Sequence, residues 1–185
     1  MSECILLVGN IGSGKSEWIK YISDLDALVI NDDAIVSCIH GGDYVGYTNQ
    51  LKPLYKSVEN LIFGFAAAYR MDVVIDRPNL TIKTRRRYIG LAHSFDMDVQ
   101  VIVFPFENPT IHAQRRMDSV DRGRGYPLEY WTKLATIKNN SYVVPEKSEG
   151  ISEIEFLPDD WYNVVHDSKQ LRIQMYGRND CETVG

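Results

Sequence analysis

Near the N-terminus, Gly9-Asn10-Ile11-Gly12-Ser13-Gly14-Lys15-Ser16 fits G-x-x-x-x-G-K-S without a mismatch. The run before it, Cys4-Ile5-Leu6-Leu7-Val8, is short, apolar and partly β-branched, the pattern of a buried strand. Ser16 to Ser23 reads as the first turns of a helix. A strand feeding a helix through a glycine loop commits the chain to an α/β architecture with a parallel sheet flanked by helices. The same order aims the loop's N–H groups and the positive end of the helix at one anion. The glycines allow close backbone approach and positive φ. Lys15 is placed to reach β- and γ-phosphates, and the Ser16 hydroxyl to sit on Mg²⁺. Gly9 to Ser16 is therefore expected to bind a nucleoside triphosphate in a P-loop.

A chain of 185 residues suits one domain with one core. Residues 1–166 are read as that domain and 167–185 as a polar tail. No stretch approaches the roughly 20 apolar residues that span a bilayer, so no membrane partner is expected. The chain starts directly on its first strand, which leaves no room for a signal peptide. Cys4, Cys38 and Cys181 are odd in number, scattered and without metal spacing. They read as free thiols in a reducing compartment, hence the cytoplasm, a host's if the chain is phage-encoded. A formal charge of −5 argues against a generic nucleic-acid coat. Residues 77–124 nevertheless hold nine Lys/Arg against five Asp/Glu, which suits phosphates of a nucleotide, of a polyanionic substrate, or of both.

Further along, Ala27-Leu28-Val29-Ile30 reads as a second strand ending in Asn31-Asp32-Asp33, where open α/β sheets bind ligands. Residues 34–39 begin a helix, and 41–47 form a loop with tyrosines able to pack or stack. From Thr48 to Tyr69 the apolar spacing predicts a long amphipathic helix with Pro53 in its first turn. Asp72 to Asp76 is the third strand, and Asp76 has the place of a carboxylate that helps hold Mg²⁺ or its waters. Thr81 is a helix cap, followed by Lys83, Arg85, Arg86 and Arg87, which serve either phosphate contact or a solvated face. Ile82, Tyr88, Ile89, Leu91, Ala92 and Phe95 supply the buried side of that helix. Val99 to Phe104 is the fourth strand. Residues 107–119 form a helix broken at Asp121-Arg122-Gly123-Arg124-Gly125-Tyr126-Pro127, and Pro127 to about Asn139 is another. Arginines on such an interhelical loop suit a lid, at about 108–138, closing over transferring phosphoryl groups. Ile151–Phe156 and Tyr162–Val165 are candidate short strands. There is no internal repeat and no low-complexity segment.

Taken in order, G-N-I-G-S-G-K-S at 9–16, N-D-D at 31–33, V-V-I-D-R-P-N-L-T at 73–81, K-T-R-R-R-Y-I at 83–89 and the arginines of 115–124 before Y-P at 126–127 carry a resemblance. It is to the 5′-hydroxyl kinase domain of bacteriophage polynucleotide kinase and related small P-loop kinases. The resemblance covers roughly residues 3–150 and implies ATP with Mg²⁺. It implies Asp32 as the general base, with Asp33 as the fallback, taking the proton of an acceptor alcohol. The two adjacent aspartates do not both serve, since neighbouring side chains on an extended chain point oppositely. The resemblance further implies Asp76, Arg77, Asn79 and Arg86 at substrate or metal water, and Arg122 as the lid arginine, with Arg124, Arg116 and Arg115 close behind. Departures are an isoleucine, Ile35, where the phage enzyme has an arginine on the substrate phosphate, one extra residue in D-x-x-N-L-T, and no phosphatase domain.

The expected acceptor is a hydroxyl on nucleic acid, DNA or RNA, most simply a polynucleotide 5′ end. A hydroxymethyl-pyrimidine base in DNA (hydroxymethyluracil) and a small-molecule alcohol remain open within kinases. The small-molecule case predicts a closed pocket rather than a basic channel. Outside kinases, a non-catalytic nucleotide-binding switch remains, distinguished by having no need of Asp32.

Overall fold

The computed structural model describes residues 2–21, 27–42, 47–119 and 125–164. Five strands form one parallel sheet: β1 (Glu3–Val8), β2 (Ala27–Ile30), β3 (Asp72–Ile75), β4 (Asp98–Val103) and β5 (Glu153–Phe156), in the spatial order β2-β3-β1-β4-β5. β1 is central, pairing Leu6 with Ile75 of β3 and with Val101 of β4. Its side chains alternate between two apolar layers, as the period of two requires. Cys4, Leu6 and Val8 face one layer, while Ile5 and Leu7 face the other. Burial on both faces is why the strand reads as an unbroken apolar run.

The larger layer is closed by α2 (Asp32–Ile39), α3 (Lys52–Tyr69) and α4 (Ile82–His93), through Val36, Phe63, Ala66, Tyr88 and Ile89 among others. The smaller layer takes Trp18 and Ile19 of α1 (Lys15–Tyr21), with Leu157 and Trp161. Two further helices, α5 (Pro109–Met117) and α6 (Leu128–Asn140), pack on each other. Among the described residues no helix is long and apolar enough to cross a membrane. Cys4 is a buried free thiol and Cys38 an exposed one, while Cys181 lies outside the described residues.

Several expectations are corrected. The helix expected from 34 begins at Asp32, because the Asn31 side chain accepts a hydrogen bond from the Ala34 N–H at 2.9 Å and caps it. Asp32 and Asp33 therefore occupy a helical first turn, about 100° apart around its axis rather than opposed on an extended chain. The helix expected from 48 opens as a 3₁₀ turn over Asn49–Leu51, and Lys52–Tyr69 carries Pro53 in its first turn. The strand expected at 162–165 is helical over 161–164: the Val164 N–H donates to Asp160 O at 3.1 Å. Residue 165 and the tail at 167–185 lie outside the described residues. β3 stops at Ile75, and Asp76 follows it, its N–H donating to Ile30 O at 2.9 Å. Ile82, expected on the buried side of its helix, is exposed at the first helical position.

Candidate active site

The loop at Gly9–Ser16 leaves the carboxyl end of β1 and enters α1. Gly12 (φ 60°) and Gly14 (φ 92°) adopt the left-handed conformation that side chains disfavour. A Cβ at Gly12 would also run into the carbonyl of His112. The loop is pinned from two directions. The Gly9 N–H donates to Pro78 O at 3.1 Å. Asn10 is fully buried, and its amide donates to Ala135 O (2.8 Å) and Asn139 Oδ1 (2.6 Å), which fastens the loop to α6. Its Oδ1 in turn accepts from the Ile11 N–H at 2.7 Å. Asn10 fills a position that the motif leaves free.

Lys15 Nζ donates to Gly9 O (3.0 Å), Asn10 O (2.5 Å) and Ser13 Oγ (3.3 Å), so the ammonium lies within the loop's concavity. Burial pushes Lys15 down to about 8; Asp76 opposes the shift and Lys138 adds to it. A polyphosphate in the loop restores the charge. Nucleotide affinity is accordingly expected to fall as pH rises through about 8, by about tenfold per unit at most, with a proton taken up on binding. Calorimetry in two buffers of different ionisation enthalpy measures the uptake, and its absence on the alkaline side contradicts the expectation. Lys15→Arg, which keeps its charge, flattens the dependence.

Three chain segments converge beside the loop. Asp76 Oδ2 accepts from Asn31 Nδ2 at 2.8 Å and from Ser16 Oγ at 3.4 Å. These are hard oxygen donors, suited to Mg²⁺ completed by nucleotide oxygens and water. Among the described residues no cluster of three or more His, Cys, Asp or Glu could hold a metal by itself. Ser16 and Asp76 thus fit a nucleotide-borne ion.

Asp32 is ion-paired with Arg77, whose guanidinium also lies 3.6 Å from Glu59 and 5.6 Å over the Tyr88 ring. Glu59 is almost fully buried on α3 and is paired with Arg87. Burial raises the Glu59 carboxyl, while Arg87 pulls it back down. Asp32, Glu59, Arg77 and Arg87 line a cavity of about 310 Å³, with Val36 at its wall. Asp33 is the next residue of α2 and does not line it.

Other expected residues lie elsewhere. Asn79, expected at substrate, is buried at φ 45°; its amide donates to Leu7 O (3.0 Å), Arg77 O (3.2 Å) and Ile75 O (3.4 Å). It is a strut between β1 and the segment after β3. Asn79→Ala is expected to cost about 1–3 kcal/mol, read from a urea midpoint; an unmoved midpoint contradicts the strut. Arg86 is exposed beside Glu149, whose carboxyl its charge helps to hold down, and does not line the cavity. Arg85 is neither a phosphate contact nor part of a solvated face: it is fully buried and paired with Glu149 at 2.7 Å. Ile35, where the phage enzyme has arginine, is buried in the core. Arg115 pairs with Glu107 and lies 3.7 Å over the Tyr162 ring, while Arg116 lies 5.1 Å over the Trp131 ring. Arg122 and Arg124 lie outside the described residues.

Glu59 was not anticipated from sequence, yet a signal existed. It sits on the stripe of Tyr55, Phe63 and Ala66, where a carboxylate demands a cation.

A crystal structure of a "putative kinase" from Chloroflexus aurantiacus J-10-fl is similar at TM-score 0.55 and 12% identity, covering 94% of this chain and 97% of that one. Kti12 of Chaetomium thermophilum in complex with ADP-AlF3 is similar at TM-score 0.50 and 16% identity, over 90% of this chain and 97% of that one. A chain of the Pnkp1/Rnl/Hen1 RNA repair complex is similar at TM-score 0.50 and 18% identity, over 77% of this chain. The chain spans less than half the length of the Pnkp1/Rnl/Hen1 chains it matches, 35% and 46%. No curated protein sequence matches it at a significant level. The family model described as AAA domain, AAA_33, matches residues 4–123, which is most of the chain and includes the phosphate loop, both aspartates of α2 and Asp76; the chain belongs to that P-loop family.

Proposed function

We propose that the chain is an ATP-dependent kinase that transfers the γ-phosphate to a hydroxyl on nucleic acid, most simply a polynucleotide 5′-hydroxyl. The observation that carries the reading is the position of Asp32: it lines a cavity of about 310 Å³ at the same end of the sheet as the phosphate loop. A nucleotide switch has no use for a carboxylate there. Structures of related fold include the RNA repair complex Pnkp1/Rnl/Hen1, which supports a nucleic-acid acceptor.

In this reading Lys15 holds the β- and γ-phosphates. Ser16 and Asp76 hold Mg²⁺, which when bound neutralises charge on the transferring phosphoryl group. Asp32 accepts the acceptor's proton as its oxygen bonds to the γ-phosphorus; the bond from that phosphorus to the bridging oxygen breaks, and ADP leaves. Arg77 orients Asp32 through their ion pair. α5 and α6 form the lid, and Arg122, with Arg124, offsets charge developing on the phosphoryl oxygens.

The cavity has room for about one nucleotide unit. That size also suits a hydroxymethyl-pyrimidine flipped out of duplex DNA, the second reading. Transfer from γ-labelled ATP with Mg²⁺ to three acceptors tests both. Label on a 5′-hydroxyl oligonucleotide alone supports the first reading. Label on a 5′-phosphorylated oligonucleotide with internal hydroxymethyl-pyrimidines alone supports the second. Label on nucleosides alone keeps the kinase and removes the nucleic acid. Slow phosphate release and nothing else leaves a switch.

A further inference from the structure

We infer that the outer face of α3 is the seam of a homodimer, in which this helix packs antiparallel on α3 of a second copy of the chain. The pairing is independent of the kinase reading, because Leu54, Leu61, Gly64, Phe65 and Tyr69 belong neither to the phosphate loop nor to the cavity lining.

A helix on a protein surface ordinarily turns a charged face to water. α4 does so with Lys83 and Arg86, and α6 with Glu129 and Lys133. α3 does not. From Ser57 to Tyr69 its one charged residue is Glu59, which is buried, and the exposed positions are Ser57, Asn60, Leu61, Phe65, Ala68 and Tyr69. Leu61 is 73% exposed and Tyr69 67%. Phe65 and Tyr69 stack with ring centroids 4.3 Å apart, so this apolar surface is ordered before a partner reaches it, which lowers the entropic cost of association.

The spacing names the partner's shape. Leu54, Leu61 and Ala68 recur every seven residues with Ser57 and Gly64 between them, the alternation of a helix-on-helix seam. Gly64 is a second, independent sign. A glycine inside a helix weakens it. Beyond its own helix, a Cβ there would meet only two ring carbons of Phe95 at 3.8 Å, an ordinary contact, so nothing among the described residues requires the glycine. A partner helix at close range does. Across a two-fold axis between Leu61 and Gly64, Leu61 of each copy lies over Gly64 of the other, so one face supplies both knob and hole. Having no charge, the face carries no electrostatic code for an unlike partner, and antiparallel helix dipoles attract. Leu54, Leu61, Phe65 and Tyr69 offer roughly 500 Å² per copy, hence about 1,000 Å² in the pair, where specific interfaces begin.

Sedimentation velocity of the full chain over about 1–100 µM is the test, since an interface of this size dissociates in the micromolar range. The wild type is expected to approach twice its 21.2 kDa as concentration rises. Leu61→Glu with Phe65→Glu is expected to raise the dissociation constant by about 100-fold or more, because like charges meet across the axis. Ile137→Glu, at an exposed position of α6, leaves it unchanged. Gly64→Gln separates pairing from folding. Its better helix propensity leaves the dilute chain at least as resistant to urea, while the dimer weakens by about tenfold or more. A wild type that stays monomeric at about 100 µM overturns the inference, and then another protein or the chain's own C-terminal segment is the occupant to seek. A dimer that survives both α3 variants overturns it too.

Discussion

Asp32→Asn is expected to lower kcat by about 10²–10⁴-fold, the range for losing a positioned general base, while ATP affinity changes by less than about twofold. The substitution keeps the side chain's size and its place in the first turn of α2, where the cap belongs to Asn31 and is untouched. It removes the negative charge that Arg77 engages and, with it, the basic lone pair that the proposed mechanism requires. Arg77 keeps Glu59 as a neighbour at 3.6 Å, so the cavity does not collapse. Steady-state turnover with nucleotide binding measured separately makes the distinction. Asp33→Asn is the matched control, since it alters the same helical turn without lining the cavity. Full turnover in the Asp32 variant and loss in the Asp33 variant transfers the role to Asp33. Full turnover in both dismisses a carboxylate base.

Arg85→Met is expected to destabilise the fold by about 3–5 kcal/mol, as breaking a buried pair on one side does. Arg85 is wholly buried, and its guanidinium donates to both Glu149 oxygens (2.9 and 2.7 Å), to Asn79 O (3.2 Å) and to Val143 O (3.0 Å). Removing it strands a nearly buried carboxylate and two carbonyls. Glu149→Gln added to Arg85→Met removes that stranded charge and keeps the cap at the Glu146 N–H, so the double variant recovers about half of the loss or more in urea unfolding. A double variant no better than the single contradicts the pairing.

Acid sensitivity gives a second check. Burial favours the neutral form of Glu149, but the Arg85 hydrogen bonds, the Glu146 N–H and the charges of Arg85 and Arg86 outweigh it and hold the carboxyl below its ordinary value. Its contribution is complete above the unfolded carboxylate range, about pH 4.3, and is lost as pH falls through the depressed folded value. The wild type's stability therefore declines more steeply below about pH 4 than that of Arg85→Met.

The phosphate loop and the sheet were legible because their chemistry is contiguous. Eight residues at fixed spacing do one task, and the apolar runs of β1, β3 and β4, buried on both faces, announce parallel strands. The cavity was not, since it gathers Asp32, Tyr47, Lys52, Tyr55, Glu59, Arg77 and Arg87 from five separate places in the chain. Arg85 was misjudged because a run of arginines looks like a solvated face. Its offset from Tyr88, Ile89 and Ala92 puts it on the buried stripe. The strand expected at 162–165 followed β-branched composition, which here gives way to a helical turn closed on Asp160 and to Trp161 packed at Phe104. The capped start of α2 is readable in Asn31 followed by two acidic residues, a pattern that equally suits the end of a strand.

On the proposed reading, the fold separates donor from acceptor. The phosphate loop is buttressed by α5 and α6 through His112, Ala135 and Asn139, whereas the cavity is walled by α2, α3 and α4. The short segment from Asp76 to Asn79 joins them, contributing Asp76 to one side and Arg77 to the other. On that reading, substitutions along residues 47–59 redirect which acceptor is used and leave the residues that hold the nucleotide untouched.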